Sequence, residues 1–213
     1  GDVGLIEEIA TPMVLLGERI FNGPKDHVTM QNVEGARAAT THVVDQGRRR
    51  IVALGAHPGE VIGSAALRLS GYREALEEAG IAYDEQLVVP VGSWHRRNGA
   101  DAMREFLARG VPFDAIVAFN DAIALGALRV LQENGLGVPD DVAVIGFDDI
   151  DETQYSMPTL STIDPGRDDI ARTAVELLLR RIEGAGAPFT REEVLVPFQL
   201  RTRESTAVPA LVR

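Results

Sequence analysis

Four apolar runs, at residues 51–54, 87–91, 115–119 and 142–147, set the limits on how this chain can fold. They are rich in Val and Ile and do not alternate with polar residues. An alternating strand has one wet face. A run without alternation suits a strand buried on both faces, the kind found in parallel sheets covered by helices. The intervening segments supply the helices. Ala65, Leu69, Tyr72, Leu76 and Ala79 recur at spacings of four and three, a single stripe along one helix. Helical patterns also run over about residues 98–109 and 121–134. Gly80, Gly110 and Gly135 follow the three helices, where a left-handed residue closes the last turn. The order predicts βαβαβαβ, an α/β fold with a parallel sheet and right-handed crossovers.

The flanking segments read as parts of a second lobe. Residues 13–16 and 28–30 suit short strands. Asn32 can cap a helix whose stripe is Val33, Ala36, Ala39 and Val43 and which ends at Gly47. Ile170, Ala174, Leu177, Leu178 and Ile182 mark a late helix stopped by Gly184. Residues 194–200 read as a last strand, and Pro197 inside it argues for an edge or a crossing between lobes.

Composition excludes several function classes. With 213 residues, 45% of them hydrophobic, the chain can bury a real core as one large domain or two small lobes. Its formal charge of −11 would repel nucleic acid and anionic membranes. There is no cysteine, so disulfides, thiolate catalysis and Cys-ligated zinc are excluded. No apolar run approaches the ~20 residues that span a bilayer, and no secretory leader is visible. The expected location is cytoplasmic. Gly1 stands where a Met would begin a translated chain, so the start reads as processed or cropped.

Reaction chemistry is missing too. There is no GxxxxGK[ST] loop, no GxGxxG after a strand and no GxSxG elbow. His27, His42, His57 and His95 lack metal-ligand spacing, and the acidic run at residues 148–152 lacks the glycine of a calcium loop. A Mg²⁺ site built from Asp121, Asp148 and Asp149 is conceivable, as in a phosphotransfer domain. The leading reading is a domain that binds a small polar ligand, needs no cofactor or metal, and is not an enzyme.

Ligands of an open parallel sheet bind beyond the carboxyl ends of its strands. That rule turns the strand order into a residue set. The first strand leads through residues 55–59 to Ser64 and Arg68; the second leads to Ser93, Trp94 and His95; the third to Asn120 and Asp121; the fourth to Asp148 and Asp149. Arg68 lies four residues after Ser64, on one helix face. Long helical side chains lean toward the helix N-terminus, so Arg68 is aimed back at this rim, although a surface ion pair is the plainer reading. Trp94, the single Trp, is either a stacking platform for a sugar or base or a lid over the core. Asp121 opens a helix and reads as its N-cap, which leaves Asn120 free to face the ligand. Asp148 directly follows the apolar Gly146-Phe147 pair and is the acid best placed on the rim.

Several segments together resemble the lactose/galactose repressor family of bacterial transcription regulators. They include Gly47-Arg48-Arg49-Arg50-Ile51-Val52-Ala53-Leu54, Arg68-Leu69-Ser70-Gly71-Tyr72 and Phe119-Asn120-Asp121-Ala122-Ile123-Ala124-Leu125-Gly126-Ala127. Val138-Pro139-Asp140-Asp141-Val142 leads into Val144-Ile145-Gly146-Phe147-Asp148-Asp149. Pro158-Thr159-Leu160-Ser161-Thr162-Ile163 and Arg203-Glu204-Ser205-Thr206 complete the pattern. Each is weak alone; their order over nearly the whole chain is specific.

The resemblance implies a two-lobed periplasmic-binding-protein-like fold, each lobe a doubly wound parallel sheet. The N-terminal lobe would comprise residues 1–49 and 164–192, and the C-terminal lobe residues 50–163 and 193–213. It implies a homodimer and a small effector, often a sugar or a purine, in the interlobe cleft. Arg68 matches the family's ligand-clamping Arg, Asn120 and Asp148 match polar ligand contacts, Trp94 matches an aromatic against the ligand, and Ser64 matches a hydroxyl contact of some members. Operator DNA would be read by a helix-turn-helix head that this sequence does not contain. Roughly 60–80 residues of the N-terminal lobe also precede the matching region in the family, at about 30 residues per βαβ unit. The N-terminal lobe is therefore expected to be incomplete. The competing readings are a periplasmic-type sugar transport receptor, which should carry a secretion signal, and the Mg²⁺-dependent phosphotransfer domain.

Overall fold

The structure, a computed structural model, describes residues 2–18, 20, 23–184 and 190–207. Its elements in chain order are α1 (Asp2–Glu7), β1 (Val14–Leu16), β2 (Asp26–Met30), α2 (Asn32–Asp45), β3 (Ile51–Ala56), α3 (Ser64–Glu78), β4 (Val88–Pro90) and α4 (Arg96–Ala108). β5 (Ala115–Ala118), α5 (Asp121–Glu133), β6 (Ala143–Phe147), β7 (Ser161–Asp164), α6 (Arg167–Glu183), β8 (Glu193–Val196) and β9 (Gln199–Arg201) follow.

They form two compact units. The first comprises residues 1–31 and 165–198, the second residues 32–164 and 199–213. The divisions differ from those expected at 49/50, 163/164 and 192/193 mainly because α2 packs along α3 in the second unit. Residues 1, 19, 21, 22, 185–189 and 208–213 of the expected lobes lie outside the described residues. The 194–200 segment is two strands, β8 and β9, and the chain passes between units just after Pro197.

The second unit holds a six-stranded sheet in the order β4-β3-β5-β6-β7-β9. All neighbours are parallel except β9, which runs antiparallel to β7. The four expected strands are thus parallel, and every residue of β3, β5 and β6 is buried, the cause of their unbroken apolar runs. Ile51 pairs with Ala115, and Ala115 with Ala143, so the three strands start level and finish at one edge. Connections from β3 run one way to β4 and then back across β3 to β5. This reversal is the topological switch point where an α/β sheet opens a crevice.

Helices pack in pairs, α2 on α3 and α4 on α5. Each contact needs a glycine. A Cβ on Gly71 would sit 2.1 Å from the Val33 carbonyl, and one on Gly126 would sit 2.1 Å from the Arg96 carbonyl. Gly80, Gly110 and Gly135 have φ of +67°, +64° and +70°, as helix-ending glycines should. The buried stripe of α3 differs from the expected one. Ala65, Tyr72 and Leu76 are buried, but Leu69 is only half-buried, Ala79 is an exposed cap, and Arg68 lies on the buried face.

The first unit is a three-stranded parallel sheet, β1-β2-β8. Its core is Val28, Leu177 and Val196, with Val14, Ile170, Ala174 and Val194 packed around them. Arg181 makes a two-point contact with the fully buried Asp26, at 2.6 and 2.8 Å. No helix among the described residues is long and apolar enough to cross a membrane.

Candidate functional site

The carboxyl edge of the larger sheet gathers the polar residues that strand order assigns to it. The loop after β3 begins with a backbone irregularity. Gly55 has φ of +120°, and a Cβ there would meet Ile123 and Phe119 within 2.8 Å. The pairing of β3 with β4 shifts register between Leu54 and Ala56 at the same point. This frees the Gly55 carbonyl to accept the indole N–H of Trp94 at 2.9 Å.

Glu60 then closes the N-terminus of α3. Gly63 at the cap position offers no side chain, and Glu60 Oε1 accepts the backbone N–H groups of Ala65 and Ala66 at 3.1 and 3.2 Å. Its other oxygen meets His57 Nδ1 at 2.7 Å. Burial pushes the Glu60 carboxyl up, but the His57 contact and the two backbone donors outweigh it and hold the group below its ordinary range. Glu60 thereby seats the helix that carries Ser64, half-buried at its first position, and Arg68.

Arg68 is only 3% exposed. Its Nε donates to Asn32 Oδ1 at 2.8 Å, and Nη1 donates to the Phe119 carbonyl at the end of β5. Nη2 lies 3.6 Å from Asp148 Oδ1. The guanidinium carbon sits 3.6 Å from the centre of the Phe147 ring and 5.3 Å from that of Trp94. The surface ion pair weighed for this residue is therefore a buried cation at the rim. Asp148 is the more exposed partner, its side chain 30% accessible.

Trp94 packs among the rim residues. Its half-buried ring stands edge-on to Phe119 at 6.4 Å and tilted to His57 at 5.3 Å. Asn120 is the N-cap of α5: its Oδ1 accepts the Ile123 N–H at 2.9 Å and its Nδ2 donates to the Trp94 carbonyl at 3.3 Å. The expected assignment, with Asp121 as cap, is wrong by one residue. Asp121 is instead fully buried beneath the loop after β6, where Oδ1 accepts the Thr162 hydroxyl at 2.6 Å and Oδ2 the Ile150 N–H at 3.0 Å. Burial pushes its pKa up to about 7, against the two hydrogen bonds, with Asp148 and Asp149 adding like charge.

Asp148 and Asp149 both have positive φ, +114° and +49°. Such backbone strain, of order 1–3 kcal/mol per residue, persists only where surroundings over-determine it. Here the Asp148 N–H donates to the Ile163 carbonyl at 2.8 Å, and the Asp149 carboxylate takes Arg203 Nη2 at 2.7 Å. The three acids named for a Mg²⁺ site are thus engaged separately: Asp121 with Thr162 and Ile150, Asp148 with Arg68, Asp149 with Arg203. Among the described residues no group of three His, Asp or Glu converges to hold a metal ion.

Two polar atoms at this rim are buried without a hydrogen-bond partner among the described residues, Asn32 Nδ2 and His57 Nε2. Sequence reasoning placed Asn32 only as a helix cap and Phe147 only in a strand, and reached His57 only as one member of the 55–59 rim loop. The period-based signal that marks a core has no term for a polar residue turned inward beside an Arg.

Residues 40–206 match the periplasmic binding protein-like domain. The HTH-type transcriptional regulator CelR of Thermobifida fusca is 36% identical over 204 residues, which cover 94% of this chain and 58% of that protein. The chain thus spans less than two thirds of that curated relative. A solved structure of a regulator assigned to the LacI family, from Sanguibacter keddieii DSM 10542, superposes with a TM-score of 0.88 at 52% identity, covering 95% of this chain and 74% of the other. A transcriptional regulator CelR–cellobiose complex superposes with a TM-score of 0.78 at 36% identity, covering 90% and 58%. Sequence, strand order and these likenesses agree: the chain belongs to the periplasmic binding protein-like domain family and, within it, to the LacI family of transcriptional regulators.

Proposed function

We propose that this chain is the effector-sensing part of a bacterial transcriptional repressor, that its effector is a sugar or small glycoside, and that it performs no reaction on it. The observation that carries this reading is the rim around Arg68. A buried guanidinium faces a partly exposed carboxylate and a half-buried indole, beside the two unmatched polar atoms of Asn32 and His57. Buried polar atoms without partners are rare and call for an explanation. A polyhydroxylated ligand supplies one, because each hydroxyl both donates and accepts. Arg68 and Asp148 suit adjacent hydroxyls, and Trp94 suits the apolar face of a pyranose. Asn120 joins with its second amide hydrogen, and Ser64 with its hydroxyl. The CelR relative solved with cellobiose supports a sugar over a purine.

In this reading the two units are the two lobes of the sensor and the protein acts as a homodimer in the cytoplasm. Operator DNA is read by a helix-turn-helix head on the full-length repressor, not by this acidic chain. Calorimetry against cellobiose, ribose, galactose and a purine tests the ligand class, repeated on Arg68→Lys. Lys keeps the charge but loses the planar fork. The variant should bind roughly 10- to 150-fold more weakly, the range for losing a hydrogen bond to a charged group. A sugar held equally well by both forms would place the site elsewhere; tight binding of the purine alone would overturn the sugar assignment.

A further inference from the structure

We infer that Asp121, which lies below the rim, is the positioning residue that sets Asp148 against Arg68 and so fixes the geometry in which the effector is held. This rests on the reading of Asp148 and Arg68 as ligand groups. Asp121 belongs to α5, whereas the loop it holds leaves β6. Its Oδ2 accepts the Ile150 N–H, two residues beyond Asp148, and its Oδ1 accepts the hydroxyl of Thr162 on β7. One carboxylate therefore ties α5, β7 and the loop after β6 together beneath the rim.

The loop needs such a tie. Asp148 holds φ of +114°, a conformation a side chain disfavours, and in it the carboxylate stands 3.6 Å from Arg68. The neighbouring backbone has been shaped around the acid. A Cβ on Gly146 would stand 2.1 Å from Asp121 Oδ1, so glycine alone lets the carboxylate reach β6. Asp121 is also expensive to keep, since burial pushes it up to about 7. Asp121 is fully buried, and its two hydrogen bonds go to Ile150 and Thr162, so it acts on the rim through what it holds in place.

The test separates positioning from ligand identity. Asp121→Ala removes both acceptors. Asp121→Asn keeps both contacts, with its carbonyl toward Ile150 and its amide N–H toward the Thr162 oxygen. Thr162→Val leaves the acid but removes one of its partners, and serves if the Ala variant does not fold. Amide exchange should quicken at residues 148–150 in Asp121→Ala and Thr162→Val, stay near the parent in Asp121→Asn, and stay slow throughout in β3 and β5. Cellobiose affinity should fall about tenfold or more in Asp121→Ala, the scale of one charge-assisted hydrogen bond, and recover in Asp121→Asn. Unchanged exchange at Ile150, or a loosened loop with unchanged affinity, overturns the inference. A parent chain that binds no sugar overturns the effector reading instead, and the exchange result then decides by itself whether Asp121 holds the loop.

Discussion

Arg68 on α3 donates through Nε to Oδ1 of Asn32 on α2, 2.8 Å away, while the amide nitrogen of Asn32 is buried with no hydrogen-bond partner among the described residues. The two residues are 36 positions apart and 3% exposed each. Asn32→Ala strips Arg68 of an acceptor without adding bulk. A buried polar group left unsatisfied costs about 1–3 kcal/mol, and urea denaturation should show a loss in that range. The same variant should weaken sugar binding, because Asn32 is both a ligand donor in the proposed site and a brace for Arg68. Full stability together with full affinity would show that Arg68 does not depend on Asn32.

The spacing between these two residues is set one turn further along, at Gly71. A Cβ there would lie 2.1 Å from the Val33 carbonyl and 2.8 Å from the Arg37 nitrogen, both backbone atoms of α2 that cannot turn aside. Gly71→Ala must push α2 and α3 apart. Overpacking of this kind costs typically about 1–3 kcal/mol, and the displacement draws Asn32 away from Arg68. The expected result is a lower melting temperature and weaker effector binding in a variant altered well away from the ligand. Gly80→Ala is the contrast: it strains φ of +67° at the end of α3 but meets nothing within 4 Å, so it should cost stability and leave affinity alone.

Asp121 makes stability depend on pH in a direction opposite to that of an ordinary paired carboxylate. Its folded pKa is about 7 against an ordinary 3.8. Between those values the folded chain binds a proton that the unfolded chain does not. Stability from this group is therefore present at low pH and is lost as pH rises from about 4 to about 7. A difference of that size corresponds to a loss on the order of 4 kcal/mol. Asp121→Asn removes the titration while keeping the contacts. The difference in unfolding free energy between the variant and the parent should grow in favour of Asn across that window and level off above pH 8. A difference that stays flat from pH 4 to 8 would mean that Asp121 is ionised throughout.

The sequence made the framework legible because β3, β5 and β6 are buried on both faces, and nothing but an unbroken apolar run satisfies that environment. It hid β7. Ser161 and Thr162 are fully buried, yet the apolar pattern assigns them no strand, because their burial is made possible by partners distant in sequence. Ser161 Oγ pairs with the Arg203 carbonyl and the Thr206 hydroxyl, and Thr162 with Asp121. Hydrophobic periodicity carries no trace of a hydroxyl satisfied 40 residues away.

The site divides along the same line. Strand order and helix direction suffice to send Arg68, Trp94, Asn120 and Asp148 to one rim, because a parallel sheet ends all its strands at one edge. Which member of the Asn120-Asp121 pair caps α5 was not readable, since both residue types cap helices well. Asn120 takes the cap, and Gly146, whose missing side chain leaves room, lets Asp121 lie under β6. Asn32 and Glu60 were invisible as site residues for a related reason. They act on Arg68 directly or through the α3 N-terminus, and neither lies at the end of a strand.

The smaller unit leads to a last prediction about association. Val175, Leu179 and Ile182 recur on α6 at intervals of four and three, one helical stripe, and are 56%, 50% and 52% exposed. Beside them Thr11, Pro12, Met13, Val14 and Leu16 form an apolar groove with Ala174, Val175 and Leu178. β1 is an outer strand of its sheet, and Leu16 on it is 60% exposed. An outer parallel strand with no further strand beside it among the described residues, next to an apolar stripe, is a surface that recruits other chains. Residues 1–213 prepared alone should therefore self-associate, with the weight-average mass in sedimentation equilibrium rising above 23.0 kDa as concentration increases. Leu179→Glu with Ile182→Lys places opposite charges on the stripe at spacing three, compatible with the helix, and should return the mass toward that of a single chain without altering effector affinity. A parent chain that sediments as a single species of 23.0 kDa at every concentration would show that this face needs no cover.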